Sequence, residues 1–345
     1  MPLSTSSSNY PRHRAPVKNW LFLWACCLVT ASIAVSSVEA YWRSHGHRPS
    51  MVDSLEHWAF YRSKVSDNQR EHVVLVGSSR IQLGFSTDTF REKFPRHQLT
   101  QLAIDSRFPI AVLRDLANDE QFRGIAICSM TALGFLRQNW EDQQDYVEFF
   151  HHDYMFHHAW DGIVGSRLKA QLVVLSPKVR IDRVLRAVLT QSPLPEPSYL
   201  VTRADRSRLA DYSMMNDIES HRRRRVDNHK KWLDNHQRLT AQDWMKDVAK
   251  IEELVQRIHR RGGQVVFVRF PTADEHWIVD EATYPKADYW DRMAAYTSAR
   301  TIHFADIPAL SRFELPDTSH LDQKDAPEFT LALLNQLRRH QVVPR

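Results

Sequence analysis

Short apolar runs alternate with amphipathic stretches along residues 71–135. His72–Val76 (HVVLV) is a continuous apolar run that ends at Gly77-Ser78-Ser79-Arg80, which predicts a strand buried on both faces and then a tight turn. The same pattern predicts further elements, namely helices at 87–94 and 110–118 and strands at 99–104 and 124–128. This βαβαβ order predicts an α/β fold built on a parallel sheet.

The alternation returns after residue 245. One face of a predicted helix carries five apolar residues, Val248, Ile251, Leu254, Val255 and Ile258. Gly262-Gly263 ends this helix, and Gln264–Phe270 (QVVFVRF) predicts the next strand. A strand at 301–304 and a closing helix complete the pattern, and the apolar face of that helix is formed by Phe329, Leu333, Leu334 and Leu337.

Between these two regions, from about Leu136 to Trp244, the alternation lapses into largely helical sequence with several prolines. The pattern therefore predicts a helical insertion or lid at 136–245 between two parts of one core, 71–135 and 246–345. Within it, Ala170–Leu175 (AQLVVL) is compatible with a strand or with a helical segment, because a short apolar run does not distinguish them.

An uncharged, mostly apolar run at Trp20–Val38 is long enough to cross a bilayer core of about 30 Å. Basic residues precede it (Arg12, Arg14, Lys18), which predicts a cytoplasmic tail at 1–18, a transmembrane anchor at 19–38 and a linker with a helix at 39–70. We expect a single-pass protein of the cytoplasmic membrane with a periplasmic or extracellular C-terminal domain. The alternative is a cleaved signal peptide, since Val38-Glu39-Ala40 has the small-residue spacing of a cleavage site.

Composition excludes few classes of protein. The chain has 345 residues, 43% of them hydrophobic, which is enough for a core, and a net charge of only +5. Cys26 and Cys27 lie in the apolar segment and Cys128 is alone beyond it, so no disulfide framework is expected.

Two groups of polar residues suggest binding sites. His151, His152, His157 and His158 fit no zinc spacing well, so a solvated helix face is favoured and neither a metal nor a cofactor is predicted. The run Arg222–Arg225 could contact membrane phosphates, an acidic glycan or a partner, or could be a solvated surface. Export of the domain would exclude nucleic acid as that partner.

Candidate catalytic residues follow the first and last predicted strands. Ser79 lies just past the first strand, where its hydroxyl would stand beside the N–H groups of a helix start; capping that helix is its other possible role. A serine needs a base and a group that orients the base. Asp317 and His320 lie three residues apart after the last strand, at the same edge of the sheet, although an Asp turn beside a surface histidine has the same sequence. Together they predict a Ser79–His320–Asp317 triad.

These motifs resemble a known family. Gly77-Ser78-Ser79-Arg80 is similar to the first conserved block of the SGNH (GDSL-like) esterase and acyltransferase superfamily, and Asp317-Thr318-Ser319-His320-Leu321 resembles its last block. The Gly-Ser-Ser variant behind an N-terminal anchor resembles the D-alanyl transfer proteins of teichoic acid synthesis and the acetyltransfer subunits of alginate-type systems. The resemblance implies a three-layer α/β/α sandwich over a five-stranded parallel sheet.

The resemblance also implies an oxyanion site. Ser79 would contribute a backbone N–H, and Ser106 stands near the glycine of the family's second block. The asparagine of the third block has no match in Cys128–Gly134, where Ser129 or Thr131 would replace it. Since an oxyanion donor contributes about 10²–10³ in rate, this departure bears on activity.

Other polar residues near the predicted edge have alternative roles. Arg80 and Arg269 are candidate contacts for an anionic substrate group, although Arg269 could equally form a structural ion pair. His303 and Asp306 could compete for the triad roles, but a hydrogen-bonded core histidine is the favoured interpretation.

The sequence therefore predicts a membrane-anchored serine acyltransferase or esterase that acts on O-acyl groups of a cell-envelope polysaccharide. The resemblance implies an acyl donor supplied by a polytopic membrane O-acyltransferase. The alternative is an inactive scaffold protein of the same fold in an envelope polysaccharide complex.

Overall fold

The computed structural model describes residues 17–65, 71–155 and 168–343, except for the side chains of 17–19. Its centre is a five-stranded sheet in the order β2-β1-β3-β6-β7, with every neighbouring pair parallel. The strands of the sheet are β1 (His72–Val76), β2 (Gln98–Gln101), β3 (Ile125–Ser129), β6 (Gln264–Arg269) and β7 (Arg300–His303). A two-stranded antiparallel hairpin lies apart from it, formed by β4 (Leu200–Thr202) and β5 (Arg208–Ala210).

Each predicted core strand is present, within a few residues of its predicted bounds. The largest difference is at β2, which ends at Gln101 instead of 104. Leu102 and Ile104 still donate to the carbonyls of Leu75 and Gly77, so the chain follows β1 beyond the end of the regular ladder.

The helices of the described residues connect the strands and cover the sheet. They are α1 (Val17–Ser44), α2 (Leu55–Arg62), α3 (Ser79–Gly84), α4 (Thr87–Lys93), α5 (Ile110–Asn118), α6 (Gln144–Glu148), α7 (Ile181–Leu189), α8 (Ile218–Asp234), α9 (Ala241–Arg260), α10 (Asp274–Thr283), α11 (Trp290–Tyr296), α12 (Pro308–Ser311) and α13 (Ala326–Arg339). Short 3₁₀ turns and one π-helical turn (Phe149–Asp153) lie between them.

Two apolar cores lie on opposite faces of the sheet, because successive strand residues point to opposite sides. On one face, Val74 and Val76 of β1 belong to the core that contains α5 and α9. On the other, Val73 and Leu75 belong to the core formed with α4 and α13. The predicted three-layer α/β/α sandwich over a five-stranded parallel sheet is confirmed.

The insertion contains more than the predicted helices. Ala170–Leu175 is not a strand, because Val173–Leu175 forms a 3₁₀ turn. The hairpin β4–β5 was not predicted, since its strands are only three residues long and show no periodicity. Its turn carries Arg206, which is fully buried and forms two bonds with Asp53, at 2.7 and 2.8 Å. Arg206 also donates to the carbonyls of Gln101 and Ala103 beyond β2, so the insertion is fastened to the core.

The N-terminal helix α1 contains an apolar segment, Trp20–Ser44, with a mean hydropathy of 2.1 over its most apolar window and no part of that window buried. By length and composition it could cross a membrane, and a signal sequence would pass the same test. The last turns of α1 contact the body of the protein. The Glu39 carboxylate accepts from the N–H groups of Val173 and Val174, at 2.9 and 3.0 Å.

Candidate active site

A cavity of about 480 Å³ opens beside Ser79, where β1 ends. Polar and aromatic side chains from the core and from α8 line it, among them Ser79, Ser106, Thr131, Arg224, Asn228 and Trp232. The position agrees with the general rule that ligands bind at the carboxyl ends of the strands of an open parallel sheet.

Ser79 is the first residue of α3 and follows a sharp turn at Gly77. Gly77 has a φ of 150°, and a Cβ there would lie 2.8 Å from the Cβ of Ser129 and 2.9 Å from Cγ2 of Ile81. Only glycine therefore fits this turn without displacing its neighbours. Ser79 does not cap α3, since the N-cap residue is Ser78, whose side chain makes no capping bond.

The three residues of the predicted triad lie in one hydrogen-bonded chain. Nε2 of His320 is 2.7 Å from Oγ of Ser79, and Nδ1 of His320 is 2.8 Å from Oδ2 of Asp317. Asp317 also accepts from the backbone N–H of His320 at 2.7 Å, which holds the loop in a tight turn. The chain has the geometry of a nucleophile, a base and a group that orients the base.

Asp317 is fully buried and is held by groups from the insertion as well as by its own loop. The Tyr212 hydroxyl donates to its Oδ2 at 2.8 Å, and Nε of Arg225 lies 2.9 Å from the same atom. Burial alone would raise the pKa of Asp317, but His320, Arg225 and the N–H of Ser319 together hold this pKa far below its ordinary value. Asp317 is therefore ionised at neutral pH.

His320 is almost completely buried, and burial lowers its pKa below the ordinary 6.5. Asp317 opposes this effect, whereas the charges of Arg225 and Arg80 add to it. The imidazole is consequently neutral at pH 7, with Nδ1 donating to the carboxylate, so Nε2 is able to accept a proton from Ser79.

The residues expected at the oxyanion site are placed differently from one another. Ser106 lines the cavity with a φ of 59°, a left-handed conformation that glycine adopts at lower cost. Thr131 also lines it, and among the described residues its buried hydroxyl has no hydrogen-bond partner. Ser129 is buried against Gly77 and is not among the residues that line the cavity, so of the two expected replacements Thr131 is better placed.

The two arginines expected to bind substrate occupy different positions. Arg80 lines the cavity, and its guanidinium donates to Oγ of Ser319 and to Nε2 of His276, both at 3.1 Å. Burial and then the charge of Arg269 lower the pKa of Arg80 to about 9, so it remains charged at neutral pH. Arg269 is buried outside this cavity and donates to Asp280 at 2.6 Å, which is the structural ion pair and not a substrate contact.

One cluster of possible metal ligands lies among the described residues, formed by His229, His276 and Asp280 within 4.8 Å of one another. Four of its possible ligand atoms already have partners. Arg80 donates to Nε2 of His276, and Asp280 accepts from Arg269 on one oxygen and pairs with Nε2 of His229 at 2.8 Å on the other. Burial and the charge of Arg80 lower the pKa of His276 to about 2, which leaves it neutral. Two arginines beside a single carboxylate already give this cluster an excess of positive charge, which disfavours the binding of a further cation.

The other candidates raised by the sequence lie outside the cavity. His303 is buried, and its Nδ1 accepts from the N–H of Ala305 at 3.1 Å, while Asp306 pairs with Lys286 at 2.9 Å. Nε2 of His151 lies 2.6 Å from Asp115. His157 and His158 fall outside the described residues.

Sequence reasoning missed the contribution of the insertion to this site. Tyr212 lies in a short 3₁₀ turn with no distinctive motif. The cavity-lining residues of α8 do have a signal, because they recur at helical spacing along one face: His221, Arg224, Arg225, Asn228, His229 and Trp232. A polar and aromatic stripe of this kind on a helix indicates a face that meets a ligand or another polar surface.

No family model and no curated protein matches the sequence. Among solved structures, the chain is similar to the crystal structure of TesA, with a TM-score of 0.36 and 9% sequence identity over 79% of this chain and 99% of that one. This likeness is too distant to carry an argument about activity. The strand order, the register and the two apolar cores define the fold.

Proposed function

We propose that this protein is a membrane-anchored serine acyltransferase or esterase with an SGNH-type fold, acting on O-acyl groups of a cell-envelope polysaccharide. The observation that carries the proposal is the hydrogen-bonded chain from Ser79 through His320 to the buried Asp317, next to an open cavity. Ser79 would attack the acyl carbon as His320 takes its proton. His320 would then return that proton to the leaving group, forming an acyl-enzyme that a sugar hydroxyl or water resolves.

Two features of the cavity support a glycan acceptor. Trp232 stands at its wall, and an aromatic ring beside polar groups suits the mixed apolar and hydroxylated faces of a sugar. Arg224, Arg225 and Asn228 add cationic and amide donors, which suit carboxylate or hydroxyl groups on the acceptor. Transfer would require an acyl donor on the same side of the membrane, which a polytopic O-acyltransferase would supply.

The test compares the wild type with Ser79→Ala and Ser78→Ala. Ser78 lines the same cavity and its side chain makes no capping bond, so its variant is a matched control. We expect labelling by a fluorophosphonate and release of nitrophenol from p-nitrophenyl acetate in the wild type and Ser78→Ala, and a loss of about 10³-fold or more in Ser79→Ala. Labelling that persists in Ser79→Ala would remove Ser79 as the nucleophile.

A non-catalytic scaffold is the second candidate. It is favoured by the lack of an asparagine in Cys128–Gly134, where β3 ends, and by the position of Ser129 away from the cavity. No labelling and no turnover in the wild type would support the scaffold.

Addition of uronate and neutral oligosaccharides to the acetyl donor, followed by mass spectrometry, separates transfer to sugar from hydrolysis.

A further inference from the structure

The short helix α7 (Ile181–Leu189) has an apolar face with no partner in the described chain. Four of its side chains are strongly exposed: Ile181 at 76%, Leu185 at 53%, Val188 at 62% and Leu189 at 82%. At 100° per residue these four lie on one side of the helix. A contiguous apolar face of this kind in water is unfavourable and marks an interaction surface.

The remaining sides of α7 are basic or contact the body of the protein. Arg183 and Arg186 lie on the polar face, and Lys178 and Arg180 immediately precede the helix. Asp182 is the single acidic residue of this segment and pairs with Arg180 at 3.0 Å. A helix with an apolar face and an excess of positive charge has the composition of one that lies in the interface of an anionic bilayer.

The position of α7 places it where α1 would leave a membrane. Trp42, near the end of α1, packs in a small core with Val173 and Val179, two residues before α7 begins. Val184 of α7 is partly buried against the same core. The Arg43 guanidinium donates to the carbonyl of Gln171 at 2.5 Å, which is a second contact between α1 and the chain that precedes α7. The helix α7 is therefore attached to the end of α1 through a shared apolar core.

We propose that α7 lies in the interface of the bilayer that α1 spans, with Ile181, Leu185, Val188 and Leu189 inserted among the acyl chains and its arginines at anionic headgroups. The inference depends on the retention of α1 as an anchor, as proposed above, and not on acyl chemistry. A second attachment beside α1 would restrict rotation of the domain about the anchor. The cavity beside Ser79 would then keep a fixed orientation relative to the membrane.

The experiment measures the depth of single sites in the full-length chain, reconstituted in nanodiscs of phosphatidylglycerol and phosphatidylcholine. Cys26, Cys27 and Cys128 are first replaced by serine, serine and alanine. An environment-sensitive fluorophore is then attached at Val188→Cys on the apolar face, at Arg183→Cys as the matched control on the polar face, and at Val29→Cys within α1. Quenching by lipids that carry a nitroxide on the acyl chain reports depth.

We expect quenching at position 188 to exceed that at position 183 by about threefold or more, and to weaken when phosphatidylglycerol is omitted. Quenching at position 29 with equally weak quenching at 188 and 183 would overturn the interfacial helix and leave the anchor intact. No quenching at position 29 would overturn the anchor and the interfacial helix together. Weak quenching at 188 with energy transfer between labelled copies would overturn the proposal in favour of a contact between chains.

Discussion

Arg225 and Tyr212 are the residues by which the insertion reaches the proposed catalytic chain. Both contact Oδ2 of Asp317, the oxygen that also accepts from His320. A carboxylate that accepts from two donors and pairs with an arginine is held in one orientation, but each of these partners also weakens its attraction for a proton on the histidine. In the proposed mechanism, Arg225 and Tyr212 are positioning residues that hold the Asp317 carboxylate.

Removal of Arg225 is expected to shift the pH dependence of turnover. Its charge contributes to the low pKa of His320, so Arg225→Gln should raise that pKa. His320 acts as a base only when it is neutral, so activity rises as pH increases through its pKa. The acid limb of the kcat/KM profile should consequently move to higher pH in the variant. Arg223→Gln, an exposed arginine on the same helix, should leave the profile in place.

Thr131 is expected to act as an oxyanion donor, because this residue lines the cavity and its buried hydroxyl has no partner among the described residues. Thr131→Val keeps the shape of the side chain and removes the donor. We expect kcat to fall by about 10²-fold with little change in KM, since the bond strengthens only as charge develops. Ser129→Ala is the control. Equal losses in the two variants would refute a specific role for Thr131.

At the scale of elements, the hairpin β4–β5 explains how an insertion outside the main sheet keeps a defined position. Asp205 in its turn accepts from Thr87 Oγ1 at 2.7 Å and from Arg91 Nη1 at 2.8 Å, both in α4. Arg206 is buried between Asp53 and the edge of the sheet. Polar contacts at the tip of this short hairpin thus hold the insertion against the core, a role that apolar packing has for the helices that cover the sheet.

Arg206→Met is expected to lower the free energy of unfolding by about 3–5 kcal/mol, because it leaves the Asp53 carboxylate without its arginine and the Gln101 carbonyl without this donor. The matched control is Arg203→Met in the same hairpin, whose two bonds to Asp88 are at the surface. An exposed pair contributes only about 0–1 kcal/mol. Urea unfolding of the detergent-solubilised chain, followed by tryptophan fluorescence, measures the free energy of unfolding of both variants. Similar midpoints for the two variants would contradict the prediction.

At the scale of the whole molecule, the apolar N-terminal helix and the α/β body are joined by specific contacts. Glu39 accepts from two N–H groups of the insertion, and Trp42 is buried against it. These contacts lie at the segment Val38–Ala40, where a signal peptidase would cut, and the segment is helical. Because a protease needs an extended, accessible chain, these contacts support the proposal that α1 is retained as an anchor.

We therefore expect the membrane-extracted protein to keep α1. Intact-mass measurement should show no product that begins at Tyr41, and the protein should resist carbonate extraction. Glu39→Ala removes both bonds to Val173 and Val174, and we expect it to make this segment more accessible to added protease. A mature chain that begins at residue 41 would exclude the anchor.

The sequence alone predicted the α/β class, the core strands and the helices that cover them, because their apolar patterns are strong and local. It also pointed to Ser79, Asp317 and His320, since a mechanism that needs three groups at one edge restricts where they can occur along the chain. The sequence did not predict the structure of the insertion, because strands of three residues and buried arginines leave no periodic pattern.

Only the tertiary structure decided which polar residues meet. Arg269 is the last residue of β6 and Thr131 follows β3, yet Arg269 is paired inside the protein whereas Thr131 lines the cavity. Tyr212 and Arg225 are 105 and 92 positions from Asp317 in the chain and contact the same oxygen. Pairing of this kind depends on how separate elements pack, and the local pattern of residues carries no information about it.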